Sequence, residues 1–285
     1  MPEYILTPID GSEQSMAAVA YAATLFPDAR HASIHVIDPT REWYDGPGLS
    51  GDWRERSQKR AAEYHERAER IGDDHGVQIE PITATGEPYR EILEAIEEHG
   101  ADHLCLGSTG KSLIPKVMFG SVAETILRRS TVPVTIVRNR SLDAIAPPES
   151  ILVAVDGSSQ SYDGLRYVLS EFPGASLHAV HAIDSVGGYV GSGGEGTYVE
   201  EEIEAAIAEG EKILDRAVEV ADPTPIETHS AFGDAAETVT AVAREHGIDH
   251  IVVGSRGTSG MKRILIGSNA EKITRRASTP VTVVR

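Results

Sequence analysis

The 285-residue sequence predicts an α/β protein made of two tandem open parallel sheets, each covered by helices on both faces. Three observations carry that expectation. Short, near-continuously apolar runs alternate with charged helical segments, the pattern of strands buried on both faces of a parallel sheet. The pattern is written twice, since PIDGS at 8–12 returns as AVDGSS at 154–159, which places Asp156 146 positions after Asp10. Finally, Gly-x2-Gly-x9-Gly-Ser occurs at 107–121 and again at 254–268, each time between an apolar strand and an amphipathic stretch.

The elements follow in order. In each copy a first strand (Tyr4–Ile9; Ile151–Val155) ends at Asp-Gly-Ser, where Ser12 or Ser158 can cap the next helix. A second strand (Ser33–Ile37; Leu177–Ile183) leads through a loop to a charged helix, about 53–74 and 199–220. The loops differ: REWYDGPGLSGDW carries aromatics, whereas SVGGYVGSGGEGT at 185–197 reads as a surface loop or a lid. A third strand (Gln78–Thr85; Ile226–Ala231) precedes a helix that stops at His99-Gly100 or His246-Gly247. The fourth strand, HLCLG or HIVVG, meets the repeated loop, and a last helix (about 121–129; 268–276) and the strand VPVTIVR or TPVTVVR complete the copy. EEHGADHL and REHGIDHI lie 147 apart, as do STVPVTIVR and ASTPVTVVR, so a whole domain is duplicated. The domains are expected at 1–140 and 149–285, with Pro147-Pro148 stiffening an exposed spacer.

Composition narrows the function classes. A net charge of −18, from 44 acidic against 26 basic residues, repels nucleic-acid phosphates and anionic membranes. It fits either simple solubility or a salt-rich, halophilic setting. Without a long apolar run or a basic leader, and with the single cysteine Cys105, the expected setting is the cytoplasm.

The repeated loop is where the chemistry is expected. Ligands of open α/β sheets sit beyond the carboxyl ends of the strands at the topological switch. Glycines let backbone amides approach an anion, and a helix N-terminus adds donors and a positive dipole end. Lys111 in one copy and Arg256 in the other can add charge, so a polyphosphate fits. A P-loop is excluded, because the required glycine ahead of Gly110-Lys111-Ser112 is Cys105, and no dinucleotide fingerprint is present.

With these motifs in view, each half resembles an ATP-binding universal stress protein domain. The resemblance rests on the glycine loop, the aspartate ending the first strand, and the HVID and HAID second strands at 35–38 and 181–184. It implies a Rossmann-like sandwich, of the adenine nucleotide alpha hydrolase type, with the two halves paired through their last strands as a pseudo-dimer. It leaves room for a homodimer of the whole chain. The family's adenosine contacts map to Pro8, Ile9 and Asp10 and to Ala154, Val155 and Asp156, and its adenine-contacting valine to Val36 and Ala182. Ribose and phosphate contacts map to Gly107, Ser108, Thr109, Gly110, Lys111, Gly120, Ser121 and Val122. In the second copy they map to Gly254, Ser255, Arg256, Gly257, Gly267, Ser268 and Asn269. The implied ligand is ATP or another adenine nucleotide, with Mg²⁺ held through the phosphates. The copies depart from one another at Ala182 for valine, Thr258 opposite Lys111, and Asn269 opposite Val122.

Other readings are weaker. No Ser-His-Asp or Cys-His arrangement is visible, so the resemblance implies at most slow ATP hydrolysis or autophosphorylation in a stress-response regulator. The alternative is a structural or chaperone-like domain pair independent of nucleotide. An adenylyl transferase would need a pyrophosphate loop where the chain has DGSEQS and DGSSQS. None of the 11 histidines shows a zinc-like spacing with a third ligand, so no side-chain metal site is expected. Cys105 inside an apolar strand reads as core.

Overall fold

The structure, a computed structural model, describes residues 1–40, 53–108, 120–138, 142, 145–183, 197–255 and 266–285. The chain divides into two units, Met1–Pro147 and Pro148–Arg285.

The first unit runs β1 (Tyr4–Pro8), α1 (Glu13–Leu25), β2 (Arg30–Ile37), α2 (Trp53–Asp74), β3 (Ile79–Thr85), α3 (Pro88–His99), β4 (His103–Gly107), α4 (Ser121–Arg129) and β5 (Val134–Val137). Its strands are all parallel, in the order β3-β2-β1-β4-β5. The chain therefore winds outward through β2 and β3, then crosses back to β4. With right-handed crossovers, α1 and α2 cover one face and α3 and α4 the other, and each pair is in contact. The direction reverses between β1 and β4, so the ligand crevice of such a sheet opens beside their carboxyl ends.

The second unit repeats this with β6 (Ser150–Ala154), α5 (Ser159–Glu171), β7 (Ser176–Ile183), α6 (Thr197–Ala221), β8 (Ile226–Phe232), α7 (Ala235–Glu245), β9 (His250–Gly254), α8 (Ser268–Arg276) and β10 (Val281–Val284). Its parallel order is β10-β9-β6-β7-β8. No helix among the described residues is long and apolar enough to cross a membrane.

Local chemistry explains the repeated punctuation. Ser12 Oγ accepts the Ser15 amide and Ser158 Oγ that of Ser161, so α1 and α5 begin at side-chain caps. Such caps stabilise a helix by about 1 kcal/mol each. The Asp102 carboxylate accepts the amides of Glu3 and Tyr4 at 2.8 and 3.1 Å, fixing where β1 starts beside β4, and Asp249 does the same for Glu149 and Ser150. Inside each sheet a histidine meets a threonine: His103 and Thr135 at 2.9 Å, His250 and Thr282 at 2.8 Å. These rings are buried polar groups with a partner, as burial requires. The first unit's core gathers Ile9, which directly follows β1, with Met16 and Val19 of α1, Ala68 and Ile71 of α2 and Ile79 of β3.

One expectation needs correction. Leu142 and Ile145, read as part of an exposed spacer, pack against that core because their apolar side chains find the surface of α1 and α2. Ala146 and Pro147, which follow, are exposed.

Candidate functional site

At the carboxyl end of β1 the chain turns sharply into α1. Gly11 has φ +75, and Gly157 has φ +83 in the second copy, a left-handed conformation that favours glycine. Asp10 holds this turn: its Oδ1 accepts the Ser12 amide at 3.0 Å and the Ser12 hydroxyl at 2.6 Å. Asp156 Oδ1 accepts the Ser158 amide at 3.0 Å and is also bonded by the Ser158 hydroxyl. One carboxylate oxygen of each aspartate therefore shapes the turn.

The residues just before them are also committed. Ile9 is buried in the core, its amide donates to Ile34 O at 2.8 Å, and its carbonyl meets His35 Nδ1 at 2.8 Å. Val155 repeats this with Val180 O and His181 Nδ1. These two histidines pin the ends of β1 and β6. Sequence reasoning placed them inside strands without a role, although their equivalent places in HVID and HAID were the available clue. Pro8 and Ala154 are only partly buried at the strand ends.

The first loop glycine serves packing. A Cβ on Gly107 would lie 2.6 to 2.8 Å from the backbone of Gln14 and Ser15, and one on Gly254 2.7 to 3.0 Å from that of Gln160 and Ser161. The end of β4 or β9 thus runs directly over the first turn of α1 or α5. Buried Ser108 donates its amide to Val137 O, and its carbonyl accepts the Gly120 amide at 3.1 Å. Ser255 makes the same pair with Val284 O and the Gly267 amide, the latter at 2.7 Å. Arg138 and Arg285, which follow β5 and β10 directly, bring a cation to this end of each sheet, and burial lowers the pKa of Arg138.

Gly120 and Gly267 are N-cap residues with φ −62 and −66, ordinary extended backbone, and neither α4 nor α8 has a side-chain cap. The first amides of both helices therefore face the carboxyl end of the sheet without the oxygen that Ser12, Ser158 or Asp234 supplies elsewhere. Ser121, Ser268 and Asn269 at these starts are exposed, and Val122 is half-buried. Thr109, Gly110, Lys111, Arg256 and Gly257 lie outside the described residues, as does the loop at 185–196.

Val36 and Ala182 are half-buried near the ends of β2 and β7 and align with Ala84 and Ala231. A groove of about 650 Å³ between α2 and strands β2 and β3 takes in Ile37, His65, Thr83 and Thr85 but not Val36, whose side chain alternates to the other face. Cys105 is buried, its thiol pKa raised by desolvation and its Sγ 3.3 Å from Ala18 O, as expected of a core residue. A separate cluster was missed by the sequence reading: His178, Glu227, His229 and His246 come together in the second unit.

The sequence profile described as the Universal stress protein family matches residues 1–138 and 148–285. A universal stress protein of Mycolicibacterium smegmatis is 26% identical over 290 residues, covering 99% of this chain and 96% of that relative. One of Mycobacterium tuberculosis is 27% identical over 296 residues, covering 99% of this chain and 96% of its own length. Among solved structures, a universal stress protein from Archaeoglobus fulgidus aligns with TM-score 0.69 and 24% identity over 99% of this chain and 98% of that one.

Proposed function

The chain belongs to the universal stress protein family in both of its halves, and on that premise we propose that each half binds an adenine nucleotide, ATP with Mg²⁺ held through the phosphates. The observation that best supports this reading is the pair of uncapped helix starts at Gly120 and Gly267. Each stands beyond the carboxyl end of β4 or β9, at the topological switch, where an anion takes the place of a side-chain cap. The amides of Ser121, Val122 and Ala123, and of Ser268, Asn269 and Ala270, are the donors on offer, with Lys111 and Arg256 as cations of the loops.

The reading is that of a nucleotide-responsive stress regulator rather than a fast enzyme. The carboxylates in the first turns of α4 and α8, Glu124 and Glu271, are paired with Arg128 and Arg275 rather than held ready as bases for phosphoryl transfer. Turnover, if any, is slow. A second reading has its own support. Gly107, Gly254, Asp10 and Asp156 all have structural work in the fold, so part of the motif would persist in a domain pair that ignores nucleotide.

Mass spectrometry of the protein purified without added nucleotide, followed by calorimetry with ATP–Mg²⁺, separates the two. Co-purifying adenine nucleotide, or saturable binding that falls by one site in Gly120→Val and by one in Gly267→Val, upholds the first. Flat titrations with no bound nucleotide uphold the second.

A further inference from the structure

At the other end of the second unit's sheet, three imidazoles and a carboxylate meet. His178 lies near the start of β7, Glu227 and His229 are two apart on β8, and His246 follows the last residue of α7. Register pairs His178 with Glu227 and Val180 with His229. The alternation of side chains along a strand therefore sends His178, Glu227 and His229 to one face, and α7 packs there.

The spacing is close. His178 Nδ1 is 3.0 Å from His229 Nε2 and 3.7 Å from Glu227 Oε2. Glu227 Oε1 is 3.8 Å from His229 Nε2 and 4.0 Å from His246 Nδ1. The four ligand atoms lie within 4.8 Å of one another. Ligands ~2.1 Å from a tetrahedral zinc stand about 3.4 Å apart, so side-chain rotation alone would close the set. His178 and His229 have side chains 11% exposed, while His246 and Glu227 are 33% and 60% exposed, which leaves the cluster open on one side.

The fold does not require this cluster. The equivalent positions of the first copy are Ala32, Glu80, Ile82 and His99, so the same sheet closes there with an alanine and an isoleucine. A hydrogen-bonded His178–His229 pair alone would satisfy two rings. His246 adds a third ring, its centroid 4.3 Å from that of His229, at a helix end where the first copy has His99 facing an alanine and an isoleucine position instead of two histidines.

We propose that His178, His229 and His246, with Glu227 as fourth ligand, form a site for a first-row divalent cation of the zinc class. Three nitrogen donors suit zinc, nickel or copper and do not suit Mg²⁺ or Ca²⁺, which prefer oxygen. The bound ion would tie the edge strand β8 to β7 and to the end of α7. The site is independent of nucleotide, standing at the amino ends of the strands rather than the carboxyl ends.

The test is titration of the untagged, metal-stripped full chain with Zn²⁺, and with Co²⁺ as a spectroscopic probe. The expected result is one equivalent of Zn²⁺ resistant to excess Mg²⁺, and the intense visible absorption of tetrahedral Co²⁺. His178→Ala and His229→Ile, which install the first copy's residues, should lower affinity beyond the ~10–100-fold that loss of an outer-shell partner costs. His246→Gln, at an exposed helix end, should weaken it in the same direction without touching the sheet. Gly267→Val should leave zinc binding unchanged. Absence of a stoichiometric site in the native chain overturns the proposal, as does unchanged affinity in folded His178→Ala and His229→Ile.

Discussion

The Gly120 amide donates to the Ser108 carbonyl at 3.1 Å, which ties the start of α4 to the residue that follows β4. Gly267 and Ser255 repeat the bond at 2.7 Å. The Gly120 N–H is thus spent within the protein, and donors for a ligand begin one residue later. Nothing in this bond depends on the missing side chain, and φ −62 with ψ 137 suits a β-branched residue. Gly120→Val is therefore expected to fold, at a cost of about 1 kcal/mol, the penalty of a β-branched residue in place of glycine at an N-cap. Urea denaturation measures this, and a large loss would show that the glycine is needed for packing instead.

Gly107 makes the opposite case. Its absent Cβ would press on the backbone of Gln14 and Ser15, which cannot swing aside as a side-chain tip can. Gly107→Ala should cost about 1–3 kcal/mol, the range of overpacking, and Gly254→Ala a similar amount or slightly less. Denaturant midpoints that stay put in both variants would contradict the close approach of strand and helix.

The contrast shows how legible the chain was. Strand and helix positions were readable because the duplicated apolar runs and the caps Ser12 and Ser158 are local signals. The roles of individual loop residues were not. A motif glycine looks the same in sequence whether it clears space for a helix backbone, as Gly107 does, or stands at an uncapped helix start, as Gly120 does. Likewise His178, Glu227, His229 and His246 are spread over 69 positions, and only the β7–β8 register and the end of α7 bring them together. Glu227-x-His229 on one strand face was the sole local hint.

Acid lability should follow from the first unit's histidines. His65, between Ser33 Oγ and Thr83 Oγ1, is pushed down to about 4, first by burial and then by nearby His35. Burial pushes His103 down to about 3, and His31 is lowered mainly by burial as well. Each is neutral when folded, whereas in the unfolded chain each binds a proton below about 6.5. The unfolded state therefore holds more protons in this window, and stability is lost as pH falls from about 6.5 toward 3. His65→Gln should flatten the fall in melting temperature between pH 6.5 and 4. An identical slope in native and variant chains would remove His65 from the account.

Salt should act the other way from its usual effect on ion pairs. Exposed pairs such as Arg216–Glu219, with side chains 57% and 65% exposed, contribute at most about 0.5 kcal/mol each and are weakened by salt. Against them stands the self-repulsion of 18 net negative charges, which salt also screens. If the acidic surface is an adaptation to a salt-rich setting, the repulsion outweighs the pairs and the melting temperature climbs as KCl rises from low to molar concentration. A maximum at low salt would mean the pairs dominate.

The two proposed nucleotide sites should be unequal. Val36 stands where the second copy has Ala182, and the neighbours across the register, Ala84 and Ala231, are the same. The difference is roughly two methyl groups of apolar contact, at about 0.8 kcal/mol per buried CH₂-sized unit, or about tenfold in affinity if the nucleotide base packs there. Arg256 in the second loop opposes this, because a guanidinium can grip phosphate oxygens bidentately. The first site is expected to be modestly tighter, so ATP should bind more tightly to Gly267→Val, which keeps the first site, than to Gly120→Val. Restoring the methyl groups with Ala182→Val on the Gly120→Val background should then recover much of the gap. If Ala182→Val leaves the titration unmoved, the base does not lie against this strand position.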